Sequence, residues 1–186
     1  MANRHDRLWR YGRLAHMWAR CLIGVALALA AIIVILQAIS GELTLSWSLT
    51  FLIVTVVSLA IFIPLLRLWL GRGALPSARL PDAQRAGANP PPEAGPGDWR
   101  LWGAATAGLL FVGSGAMLLF LVGILGSNGT AEGVVVAVLG AWGLTTLRDT
   151  RTIAAAEQEQ NLRYYAAGRR PLGAGNHLIR ITDRAR

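Results

Sequence analysis

The sequence predicts an all-α membrane protein: four transmembrane helices in two hairpins, with the N-terminus and the C-terminus both cytoplasmic. Three observations carry that prediction. Four long apolar runs contain no charged residue. All 18 basic residues are arginine, and none lies between Arg20 and Arg67. The 186-residue chain is 54% hydrophobic and only 15% charged, whereas soluble domains carry about 25% charged residues.

Residues 1–20 form a basic amphipathic leader. Leu8, Tyr11, Leu14 and Trp18 share one helical stripe with Arg7, Arg10 and Arg13 interleaved, a pattern that suits an interfacial helix or a plain basic flank that orients the first span. The first hairpin, 21–70, holds the apolar runs Cys21–Ile39 and Trp47–Leu66, with Pro64 near the exit of the second. Only "SGELTLS" separates them. Residues 71–98 are rich in glycine, alanine and proline, and "NPPPEAGPG" is the densest part. Such composition buries too little apolar surface to fold alone and reads as a cytoplasmic linker. The second hairpin, 99–147, holds the runs Leu101–Leu125 and Gly133–Leu147, separated by "GSNGTAE". The last run, of 15 residues, reaches about 22 Å as a helix and crosses by borrowing flanking residues or thinning the bilayer. Residues 148–186 form a basic cytoplasmic tail. Its alanine, glutamate, glutamine and arginine content predicts helix to about residue 167, where Gly168 and Pro171 stop it. Beyond, Leu178–Ile181 is an apolar patch too small for a core of its own; it is frayed or docks elsewhere.

Spanning segments must satisfy their backbone polar groups internally, and runs that are apolar on every side do so as helices rather than as barrel strands. The arginines fall at 4–20, 67–100 and 148–186, whereas the two short loops hold Glu42 and Glu132 and no base. The positive-inside rule therefore sets both termini and the linker in the cytoplasm and the acidic loops outside. Trp18, Trp69, Trp99 and Trp102 fall at inner-interface depth and Trp47 at the outer interface, where amphipathic rings collect. Charge segregated by topology, not gathered into one basic domain, excludes nucleic acid as the expected partner. The expected location is a bacterial plasma (inner) membrane, multi-pass, and the arginine-only usage reflects a GC-rich genome. The two halves also resemble each other at an offset near 90, each reading Trp-Arg, span, acidic loop, span, basic exit. Such a repeat would be parallel about the membrane normal, although any two hairpins entered from inside share the pattern.

Chemistry is sparse. The four runs hold no ionisable residue apart from the thiol of Cys21, so a lone proton-coupled transporter is not expected. His5, His16 and His177 are scattered, and no nucleotide-binding or zinc motif occurs. No catalytic residue, metal or cofactor is expected, bound lipid being the one ligand left open, and the protein is not expected to be an enzyme. Small residues at helical spacing do stand out: Gly24 with Ala28; Gly103 with Ala107, and Ala104 with Gly108; and Gly133, Ala137, Ala141 and Thr145. Such ladders let helices approach closely in lipid, within this bundle or against another subunit. Arg20, Arg67, Arg100 and Arg148 are the candidate contacts for anionic headgroups on the cytoplasmic face. The leading expectation is a non-catalytic integral membrane subunit or scaffold that assembles or stabilises a larger membrane complex, its partners being membrane lipids, other membrane subunits or further copies of itself. The alternatives are an oligomeric transport or pore protein with Glu42 and Glu132 ringing an outer mouth, and a protein that binds lipid or quinone headgroups.

Overall fold

The structure, a computed structural model, describes residues 7–41, 43–70, 75–85, 92–95, 98–100, 102–103, 106, 108, 113, 129–168 and 177–182. In chain order, β1 (Arg7–Arg10) leads directly into α1 (Tyr11–Ser40). Then come α2 (Leu45–Leu70), a 3-10 turn (Pro76–Arg79), β2 (Gln84–Arg85), α3 (Thr130–Gln160), β3 (Leu162–Gly168) and β4 (His177–Thr182). The described chain is mostly helical, and α1, α2 and α3 are each long and apolar enough to cross a membrane. The third apolar run, expected as a span, lies outside the described residues except for Trp102, Gly103, Thr106, Gly108 and Gly113, all helical.

The chain divides into two compact units. The helical unit comprises residues 19–69 and 108–145. Here the four residues Gly41 to Thr44 connect α1 to α2. Gly41 takes a left-handed φ of 75°, the usual way a helix is stopped without a Cβ penalty. Thr44 then caps α2, its Oγ1 accepting the Trp47 amide at 3.1 Å. Leu29 and Ile33 of α1, Trp47 and Phe51 of α2, and Val136 and Leu139 of α3 pack in one cluster, with the Trp47 and Phe51 rings stacked 5.2 Å apart. Gly129 starts α3 at φ 84°, and a Cβ there would lie 3.0 Å from the Trp47 ring nitrogen, so conformation and space both call for glycine.

The sheet unit comprises residues 1–18, 70–107 and 146–186. It holds a four-stranded sheet in the order β1-β3-β4-β2. β3 pairs antiparallel with β1 on one side (Trp9 opposite Ala166) and with β4 on the other (Tyr165 opposite Ile179). β2 runs parallel to β4, Gln84 opposite Ile179 and Arg85 opposite Arg180. Beyond the β1 edge, Leu8 bridges to Glu93: its N–H donates to the Pro92 carbonyl at 3.0 Å, and its carbonyl accepts the Ala94 amide at 2.8 Å. Alternation along the strands separates two faces. One carries Leu162, Tyr164 and Leu178, packed with Ala15 of α1, Ile153 of α3, and Leu80 and Ala83 of the linker. Trp9 and Ala166, on the same face, pack with Leu14. The other face carries Leu8, Tyr165, Ala167 and Ile179.

The all-α expectation is therefore corrected in this unit. Residues 7–10 form a strand before the leader becomes helical. Helix in the tail ends at Gln160, short of residue 167, and residues 162–168 are strand. The helix stops because Asn161 adopts φ 51° and the Glu157 side chain accepts the Tyr164 amide at 3.0 Å, turning the chain back. Good helix formers up to Gln160 give way to "LRYYAAG", whose aromatic pair is almost fully buried when extended. The apolar patch at Leu178–Ile181 docks as β4. The linker, read as unable to bury itself, contributes Leu80 and Ala83 to this core, with exposures of 9% and 5%.

Candidate interaction surfaces

The small-residue positions divide by location. On α3, Gly133, Ala137, Ala141 and Thr145 are all buried. A Cβ on Gly133 would lie 3.1 Å from Thr55 Oγ1 and 3.2 Å from the Phe51 carbonyl, so α2 passes close there. A Cβ on Gly143 would meet Ile23 Cγ1 at 2.7 Å and the Ala19 carbonyl at 3.1 Å, so α1 passes close on another side. Gly140 has ordinary room, its nearest neighbour being Leu59 Cδ2 at 3.5 Å. On α1 the opposite holds. Gly24 and Ala28 are exposed, and nothing lies within 4 Å of where a Gly24 Cβ would stand. Gly103 is likewise exposed and open. Gly108 is helical and half-buried, and Ala104 and Ala107 lie outside the described residues.

Much apolar surface is left uncovered. On α1, Leu27 is 66% and Ile39 78% exposed, and α2 carries exposed leucine, isoleucine and valine from Leu45 to Leu68. In water such faces are unfavourable by about 25 cal/mol per Å², and contiguous patches of this kind mark contact with lipid or another protein.

The basic positions divide as well. Sixteen of the eighteen arginines fall within the residue ranges of the sheet unit, with eight of the ten acidic residues. The two in the helical unit, Arg20 and Arg67, are close to its chain limits at Ala19 and Trp69. Of the candidate headgroup contacts, Arg20 and Arg148 are exposed, on α1 and α3, while Arg67 is half-buried in the last turn of α2. Arg100 is half-buried, its guanidinium 5.9 Å from the centre of the Trp99 ring. Trp99 and Trp102 beside it are 75% and 66% exposed. Asp98 caps this helical start, accepting the Arg100 amide at 3.0 Å, and its other oxygen pairs with Arg7 of β1.

The expected outer-loop acids do not form a described pair. Glu42 lies outside the described residues. Glu132 is not in a loop but in the first turn of α3 and only 2% exposed, where a carboxylate complements the positive end of the helix dipole. A ring of solvent-facing acids at a pore mouth is not what Glu132 provides.

One polar centre was missed by the sequence reading. Asp149 of α3 is 7% exposed. It accepts the Ser77 amide at 2.7 Å and the Ser77 hydroxyl, while the Tyr11 hydroxyl donates to the Pro76 carbonyl at 3.1 Å. The feet of α1 and α3 thereby grip the linker at its 3-10 turn. The carboxylate thereby orients the backbone of the 3-10 turn. Among the described residues no group of three or more His, Cys, Asp or Glu side chains is placed to hold a metal ion. A signal for Asp149 was available: it stands four residues beyond Thr145, the next rung of the buried α3 ladder.

No protein-family model matches the chain, and no curated protein or solved structure matches it either.

Proposed function

We propose that this protein is a non-catalytic integral membrane subunit or scaffold, with four crossings and both termini on the cytoplasmic side of a bacterial inner membrane. The observation that carries it is the uncovered apolar surface of α1 and α2, in a chain whose arginines fall almost entirely within the residue ranges of the sheet unit. Such surface is satisfied by acyl chains or by helices of another subunit. The open notch at Gly24 and Ala28 suits a partner helix, because small residues admit close backbone approach. The arginines of the sheet unit, with Arg20 and Arg67, suit anionic headgroups, each worth about 1 kcal/mol near a charged leaflet.

Chain connectivity supports the crossing number. β1 precedes α1, the β2 segment follows α2, and β3–β4 follows α3, yet all pair in one sheet and so meet on one side of any membrane. Two crossings by α1 and α2 return the chain to its starting side. A single crossing by α3 would then strand β3 and β4 opposite β1. A further crossing between Arg100 and Thr130, where the third apolar run falls, restores the parity.

Gentle detergent extraction at native abundance, followed by mass spectrometry, tests the role. A larger membrane protein should co-purify in fixed ratio, and Gly24→Leu with Ala28→Leu should release it while the chain stays inserted. Recovery of the chain alone, or only with copies of itself, would contradict the scaffold role.

A further inference from the structure

Every ladder in the sheet contains a strand of the C-terminal hairpin: β1 with β3, β3 with β4, and β4 with β2. β1 and β2 are separated by more than seventy residues and share no ladder among the described residues; the sheet joins them through β3 and β4. Among the described residues, the one backbone link between β1 and the linker that bypasses the hairpin is the Leu8 bridge at Pro92–Ala94. The linker is also held by Asp149 and Tyr11, one from each helix foot. In chain order the hairpin follows β1, α1, α2, the linker and α3.

We propose that β3–β4 is the closing element of a clasp. It recruits β1 and the linker, so the sheet forms only once the chain through β4 is made and its three basic segments lie on one side. On this view the sheet couples folding to correct insertion. A chain with one span missing or inverted leaves β1, the linker or the hairpin unpaired, with arginine-rich backbone open to proteases. The pairing claim stands on the sheet alone; its consequence for insertion rests on the four-crossing topology.

Two amides discriminate. Leu8 gives its N–H to the linker, so by strand alternation the Trp9 N–H faces Ala166 of β3. Ala167 in turn directs its backbone groups at β4, opposite His177. Alternation along β4 likewise turns the Ile179 N–H toward β3 and the Arg180 N–H toward β2, so hydrogen exchange on the full chain in lipid nanodiscs should show Leu8, Trp9, Ile179 and Arg180 opening as one unit. Ala167→Pro removes a β3–β4 bond without touching a β1 bond, and should raise exchange at both Leu8 and Trp9 by about tenfold or more. Protection at Leu8 that persists while Ile179 exchanges freely, in either protein, would show that β1 and the linker hold each other and would overturn the clasp. Surface labelling from outside the cell reads topology separately, so a failed clasp and a failed topology give different results.

Discussion

At the scale of single residues, close approach decides which small residues matter. Gly143 and Gly140 differ by one turn on α3, yet an added methyl meets α1 backbone in the first case and a flexible leucine end in the second. Gly143→Ala should destabilise the helical unit by about 1–3 kcal/mol, through overpacking against atoms that cannot yield. Gly140→Ala should be neutral or mildly stabilising, because alanine favours helix by about 1 kcal/mol over glycine. Thermal unfolding in matched detergent separates them; equal losses would contradict the packing described. Burial of Ala137 and Ala141 follows from the same ladder, which sequence spacing displays directly. Exposure of Gly24 and Ala28 does not follow from spacing, since the same motif reads alike whichever way the helix is rotated.

At the scale of elements, the linker is the instructive case. Its glycine and proline content predicts a segment that cannot fold alone, and the described anchors lie on other elements. Asp149, Tyr11, β4 and β1 hold it at Ser77, Pro76, Gln84–Arg85 and Pro92–Ala94. Asp149→Ala removes the acceptor of two Ser77 donors and should cost about 1–3 kcal/mol, the usual penalty for stranded part-buried polar groups. Hydrogen exchange at Ser77 and Ala78 should then rise, with Asp149→Asn in between. Unchanged exchange would show that the 3-10 turn stands without the carboxylate. The long helices were legible because their apolar runs are uninterrupted and their ends are marked by arginine or a tight loop. The strands were not, because β1 is four residues long and β2 two. Segments that short lack periodicity and take their conformation from partners far away in sequence. The tail hairpin did leave a trace: "RYYAAG" and "HLIRIT" flank a glycine-rich stretch, a strand–turn–strand signal outweighed by the helix formers just before it.

At the scale of the whole molecule, charge and connectivity are two independent indicators of sidedness. The arginine distribution orders the segments by the energetic cost of moving guanidinium groups across lipid. The sheet orders them by which strands pair. On the proposed topology both indicators agree in grouping β1, the linker and the tail, though pairing was invisible in the sequence and the arginine pattern needs no structure. In that proposed topology the apolar exposure of α1 and α2 is the surface that acyl chains or a partner helix would cover.

The most direct test is single-cysteine labelling of intact cells with a membrane-impermeant maleimide, in a Cys21→Ser background. Leu43→Cys, between α1 and α2, and Ser127→Cys, ahead of α3, should react from outside. Arg7→Cys in β1 and Arg85→Cys in β2 should react only after the membrane is opened. Labelling of position 7 or 85 in intact cells, or a position 127 that reacts only on opening, would contradict a four-crossing chain whose sheet closes on the inner face.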